Sequence, residues 1–221
     1  MPVNSPSSSH AIQTLLRSDP GETTKKYRFV VESDVYRSGA TGGPCTIACD
    51  HLNDNIYRLR VTGITGGDFY YPYVTSGDSV GRCRVPVGQA DGTMVLTGGM
   101  NGCAIQVNRL DSNEFEFCHD KNSCSIGKLG AALPGRSVCS IGVSDYMGDT
   151  GGAFQMQETG KLSNSVFVTL FEHYIIAVRN GGRWHMVNNS ILRSQALAGK
   201  STVFLPYDPT AATVMKSFDD T

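Results

Sequence analysis

A strand-rich α+β fold is what this sequence predicts, and three observations lead there. Its 25 glycines far outnumber its 9 prolines, and its apolar runs are short. Within those runs β-branched and aromatic residues alternate with polar ones between turn signals. A helical bundle would instead show longer stretches with apolar residues every third or fourth position. With 221 residues, 40% of them hydrophobic, the chain can bury a sizeable core. The expected organisation is a flexible N-terminal arm over residues 1–24 and one domain over residues 25–221.

The elements follow in order. Residues 1–24 are rich in Ser, Pro and Thr and read as a mobile arm in which "AIQTLLRS" forms a turn or two of helix. The clearest strands are "KYRFVV", "IYRLRV", "TMVLTG", "CAIQV", "EFEFCH", "RSVCSIGV", "SVFVTLF", "YIIAVRN" and "RWHMV". Between the last two, Asn180-Gly181-Gly182 tolerates positive φ and predicts a hairpin turn. Three stretches read as helices: "PCTIACDHL" with Pro44 at its first position, "ILRSQALAG" ended by Gly199, and "DPTAATVMKSF" near the C-terminus. "GVSDYMGDTGGAF" is expected as a surface loop.

Several function classes are disfavoured. Charged residues make up 18% of the chain with a net charge of -1, so there is no overall basic field to hold nucleic acid or anionic lipid. "HYIIAV" is far shorter than the roughly 18 to 20 residues of a membrane helix. "MPVNSPSSSH" has neither the basic start nor the apolar centre of a secretory signal peptide. Cys45, Cys49, Cys83, Cys103, Cys118, Cys124 and Cys139 form an odd set with no repeated spacing, which favours reduced thiols over a disulfide framework. Cys45, Cys49 and His51 hint at a metal, but no second cysteine pair of zinc-finger spacing follows, and no metal or cofactor is expected.

The stretch with most chemistry is "GCAIQVNRLDSNEFEFCH", residues 102–119. Side chains alternate along a strand, so Cys103, Ile105 and Val107 share one face of the first run and Phe115, Phe117 and His119 one face of the second. A turn centred on Asp111 would set Val107 opposite Phe115, Ile105 opposite Phe117 and Cys103 opposite His119. A one-residue slip would put Gln106 or Asn108 opposite phenylalanine, so hydrophobic matching fixes the faces. An imidazole beside a thiol can take its proton and make the sulfur a nucleophile at neutral pH. Gly102 clears the approach, and the Cys103 backbone N–H is the first candidate to bind an oxyanion. The plainer alternative is a buried cysteine of structural value and a histidine at a strand edge.

In context, "GGMNGCAIQVNRLDSNEFEFCHD" resembles the signature of the cytotoxic necrotizing factor catalytic domain and Burkholderia lethal factor. There a small-residue-Gly-Cys motif opens a strand and a histidine ends the next. Met100-Asn101-Gly102-Cys103 keeps two positions of the family's Leu-Ser-Gly-Cys. The resemblance covers about residues 94–120. It implies a central β-sandwich, or a mixed, largely antiparallel sheet, flanked by helices and long loops. It also implies a glutamine deamidase with Cys103 as nucleophile and His119 as base. Family members orient the histidine through a backbone carbonyl or a threonine upstream of the cysteine, and Thr97 is the match here. The implied partner is a host protein bearing a reactive glutamine, such as a Rho-type GTPase or a translation-initiation helicase. Delivery to a host cytosol and a monomeric state belong to the same expectation. An amine in place of water would give transglutamination, and the segment from Asp145 to Gly152 is a candidate rim for substrate.

Two other readings stand beside it. Cys45, after Gly42-Gly43-Pro44, could lie in the first turn of a helix and act as a papain-like nucleophile with His173 or His185. Or the chain is a non-catalytic β-rich binding protein. His185 beside Trp184 reads as half-buried sheet packing, and Cys118 should face away from His119. Asp149 in "MGDTGG" lacks the lysine and spacing of a phosphate loop.

Overall fold

In a computed structural model of the chain, the described residues are 8–36, 41–74, 80–111, 113–121, 133–147, 158–162, 165–196, 202–206 and 214–221; within 158–162, 165–171, 192–196, 202–206 and at 214 only the backbone is described. They fold mostly as strands in two sheets with few helices.

The larger sheet is mixed and has nine strands: β1 (Arg28–Ser33), β2 (Gly43–Asn53), β3 (Ile56–Tyr71), β5 (Met94–Thr97), β9 (Glu158–Leu162), β10 (Ser165–Asn180), β11 (Arg183–Ala196), β12 (Thr202–Pro206) and β13 (Val214–Asp219). β3 runs parallel to both β1 and β5, while β10 and β11 form a long antiparallel hairpin. The hairpin closes through Gly181 and Gly182 at φ of 58° and 75°, as the Asn-Gly-Gly signal predicts. The smaller sheet is antiparallel, in the order β4 (Val80–Pro86), β7 (Glu114–Asp120), β6 (Ala104–Arg109), β8 (Arg136–Ile141).

Alternation along the central strands explains the layering. On β10, Ile175 and Ala177 face a core shared with the smaller sheet, where Val107, Phe115, Phe117, Trp184 and Phe218 meet. Tyr174, Ile176 and Val178 face a second core with Phe29, Leu59, Met94 and the N-terminal helices. Burial on both faces is why "HYIIAV" reads as a continuous apolar run instead of an alternating one.

The N-terminal arm is corrected. Residues 9–26 form α1 (Ser9–Ser18) and α2 (Pro20–Lys26), and Ile12 and Leu16 are fully buried in the second core. Ser8 accepts a hydrogen bond from the Ala11 N–H and Asp19 one from the Glu22 N–H, so each helix has its N-cap. Arg17 then clasps the Asp68 carboxylate with two bonds of 2.7 and 2.6 Å.

The three predicted helices are corrected too. "PCTIACDHL" is strand β2, with Pro44 near its start, where a proline is tolerated, and with Cys45 buried between exposed Pro44 and Thr46. "ILRSQALAG" continues β11 as far as Ala196, because hairpin pairing with β10 outweighs local helical preference. In "DPTAATVMKSF" residues 214–218 lie in β13, whose Phe218 stacks on Trp184; the rest falls outside the described residues.

Candidate active site

The 102–119 stretch forms the β6–β7 hairpin at the centre of the smaller sheet. Its faces are as the alternation predicts: Cys103, Ile105, Val107, Phe115, Phe117 and His119 are all buried on the side facing the larger sheet. The register is corrected by two residues. Ile105 pairs with His119, Val107 with Phe117 and Arg109 with Phe115. The cause is Asp111, whose carboxylate accepts the backbone N–H groups of Asn113 (2.6 Å) and Glu114 (3.1 Å). An aspartate engaged this way starts a turn and does not sit at its centre. Cys103 therefore lies one diagonal step from His119 on the same face.

Cys103 sits just outside β6, after Gly102 at φ of 86°, a left-handed conformation suited to glycine. Met100, three residues before Cys103, forms a backbone bridge with His173 of β10 through bonds of 2.7 and 3.0 Å. Cys103 is 3% exposed and is not disulfide-bonded. Tyr73 neighbours both groups: its ring meets the His119 imidazole edge-on at 5.3 Å, and burial followed by the charge of a Cys103 thiolate raises its phenol.

His119 is fully buried, and desolvation lowers it to about 4, so it is a neutral imidazole at pH 7. Its Nδ1 lies 2.7 Å from the Thr97 hydroxyl, which itself donates to the Tyr71 carbonyl at 2.8 Å. A hydroxyl has one proton, and a carbonyl can only accept. Thr97 therefore accepts from His119 Nδ1–H, which leaves Nε2 with its lone pair. That Nε2 is buried with no hydrogen-bond partner among the described residues. Tyr71 and Thr97 are register partners on β3 and β5, so the larger sheet orients a histidine borne by the smaller one.

The other candidates separate from this centre. Cys45 is on a strand, and burial, then the Asp68 charge, push its thiol up to about 12. It lies in the second core, whereas His173 packs against Tyr146 of the first, so the larger sheet stands between them. His185 bonds Ser217 and the Asn180 carbonyl. These placements remove the helix-start dipole that a papain-like Cys45 required. Cys118 lies on the outer face of β7 with Val80 and Leu133, and burial pushes it up to about 12. Asp145 belongs to α3 (Val143–Met147), where it accepts the Gly142 N–H and pairs with Lys216. Residues 148–152 of the expected rim, with Asp149, and Cys124 lie outside the described residues. Among the described residues no three His, Cys, Asp or Glu side chains gather to hold a metal, and no helix is long and apolar enough to cross a membrane.

Tyr71, Tyr73 and Tyr146 belong to the site and are not visible in the motif. Tyr71 acts through its carbonyl, which residue type cannot signal, and Tyr146 lies far along the chain from Cys103.

No family model matches the sequence, and no curated protein matches it at a significant level. Among solved structures the chain has a distant likeness to the C-terminal domain of CNFy from Yersinia pseudotuberculosis, at 13% identity and a TM-score of 0.24. The likeness spans 66% of this chain and 65% of that one, and at this score it defines neither fold nor family.

Proposed function

We propose that this is a toxin- or effector-like protein glutamine deamidase, with Cys103 as nucleophile and His119 as general base and acid. The observation that carries the reading is the buried His119 Nε2, a base whose lone pair meets no partner among the described residues and whose other nitrogen is fixed by Thr97, on the same sheet face as a thiol one diagonal step away. The resemblance of residues 94–120 to the necrotizing-factor motif supplies the carboxamide as substrate.

The Cys103 thiol passes its proton to His119 Nε2 as the sulfur attacks the carboxamide carbon of a protein glutamine. The tetrahedral oxyanion is met by backbone N–H donors, with that of Cys103 nearest the reacting bond. Collapse breaks the C–N bond, and His119 gives the proton to the leaving group, which departs as ammonia. A water molecule, deprotonated by His119, then cleaves the thioester to yield glutamate and the thiol. Because burial disfavours its charged form, the imidazolium is costly to form and gives up its proton readily, which suits the departure of ammonia. A primary amine replacing water gives transglutamination from the same thioester.

The target is a host protein such as a Rho-type GTPase or a translation-initiation helicase. The test is mass spectrometry of host-cell proteins after treatment with wild type or Cys103→Ser. A gain of about 1 Da at a defined glutamine with wild type alone supports the assignment; the absence of any Cys103-dependent conversion overturns it.

A further inference from the structure

We propose that Tyr146 is a positioning residue for Cys103, its phenol clamping the backbone on both sides of the Gly102 turn so that the thiol is presented to His119. The inference rests on the deamidase reading and adds a residue that the motif does not contain. Tyr146 Oη accepts from the Gly102 N–H at 3.1 Å and donates to the Cys103 carbonyl at 2.8 Å. Its one proton is thus committed to Cys103, and the two bonds bracket the residue whose φ of 86° redirects the chain into β6. Tyr146 is 2% exposed, so neither bond competes with bulk water.

Tyr146 is itself held from two sides. α3, which carries it, is fastened at its start by Asp145, which accepts the Gly142 N–H at 2.8 Å and pairs with Lys216 of β13 at 3.0 Å. Lys216 also donates to the Ser140 carbonyl at the end of β8. On the other side, the Tyr146 ring packs on the His173 imidazole at 4.8 Å between centroids, and Asn188 Nδ2 donates to the Tyr146 carbonyl at 3.3 Å. His173 is the residue whose backbone bridges Met100. Met100 to Cys103 is therefore pinned at one end by β10 and at the other by Tyr146, through elements of both sheets. A reacting sulfur displaced by about 1 Å loses on the order of a hundredfold in rate, which is what such a clamp would prevent.

The experiment compares the full-length wild type with Tyr146→Phe, Asp145→Asn and, as a control, Tyr36→Phe. The control removes a similar tyrosine-to-carbonyl bond, from Tyr36 to Pro44, away from the site. Three readouts are taken: the iodoacetamide alkylation rate of Cys103 across pH, kcat and KM for deamidation, and melting temperature. Tyr146→Phe should fold, alkylate about tenfold more slowly at every pH, and lose ten- to roughly a hundredfold in kcat with KM within about twofold. Asp145→Asn, which keeps the hydroxyl but loosens α3, should lose about threefold in both rates. Tyr36→Phe should match wild type. Alkylation and turnover by Tyr146→Phe within about twofold of wild type would overturn the clamp; should that variant not fold, unchanged rates in Asp145→Asn overturn it instead. Wild-type Cys103 reacting no faster than Cys118 would overturn the nucleophile assignment itself, which separates the two failures.

Discussion

The Thr97 hydroxyl and the His119 Nδ1 lie 2.7 Å apart, in a hydrogen bond that crosses from the nine-stranded sheet to the four-stranded one. Because the hydroxyl proton goes to Tyr71, this bond fixes the tautomer and leaves Nε2 with its lone pair, and the proposed mechanism uses that lone pair as the base. Thr97→Val should lower kcat/KM by ten- to roughly a hundredfold, part of the 10² to 10⁴ that a positioned acid–base group supplies. Thr97→Ser keeps the hydroxyl and should stay within about fivefold of wild type. Steady-state kinetics of the two variants check this, and a loss in Thr97→Ser with none in Thr97→Val would show that the methyl group matters and not the bond.

Thiol reactivity should single out Cys103. Burial pushes Cys45 and Cys118 up to about 12 and Cys49 and Cys139 up to about 11, so these stay protonated at neutral pH. With iodoacetamide at pH 7, peptide mapping should show Cys103 modified at least about tenfold faster than Cys118. His119→Gln should abolish the difference.

The two buried histidines make stability depend on pH. Desolvation lowers His119 and His173 to about 4, while both return to an ordinary 6.5 on unfolding. Between those values the unfolded chain binds more protons than the folded one, so stability is full above pH 6.5 and declines as pH falls toward 4. Each histidine lowers it by about 1.4 kcal/mol per pH unit within the window. Denaturant melts at pH 7, 6 and 5 should show the decline, with a slope roughly halved in His119→Gln.

Asp111 sets the hairpin register through its two backbone bonds. Asp111→Ala should cost about 1 kcal/mol, since the turn is exposed and each such bond contributes modestly. Urea unfolding measures the loss. The Cys103 alkylation rate should also fall in this variant, because slack in the turn moves His119 relative to the thiol.

What the sequence reveals about the hairpin divides along physical lines. The faces of β6 and β7 are legible because burial enforces a period of two, and a slip by two residues leaves every side chain on its own face. Register was not legible, since it depends on how the Asp111 carboxylate folds back on the turn. β2 reads as a helix because Pro44 and the run after it satisfy helix-start rules, while the pairing with β3 that makes it a strand is set elsewhere in the chain. The N-terminal helices look like an arm by composition; in α1 the apolar Ile12 and Leu16, four residues apart, mark the face that docks, while α2 docks through Pro20, Thr23 and Thr24, which read as polar-loop residues. Thr97 could be picked out through the resemblance of residues 94–120 to the necrotizing-factor motif. Tyr146 could not, because its role depends on where α3 packs.

The most direct test of the central claim is the stoichiometry of ammonia release. Host-cell protein, freed of small molecules by dialysis, is incubated with wild type, Cys103→Ser or His119→Gln, and ammonia is measured beside the glutamate residues formed. The account predicts one ammonia per glutamate with wild type and none above background with either variant. Equal release by Cys103→Ser, or none by wild type at any target concentration, would contradict it.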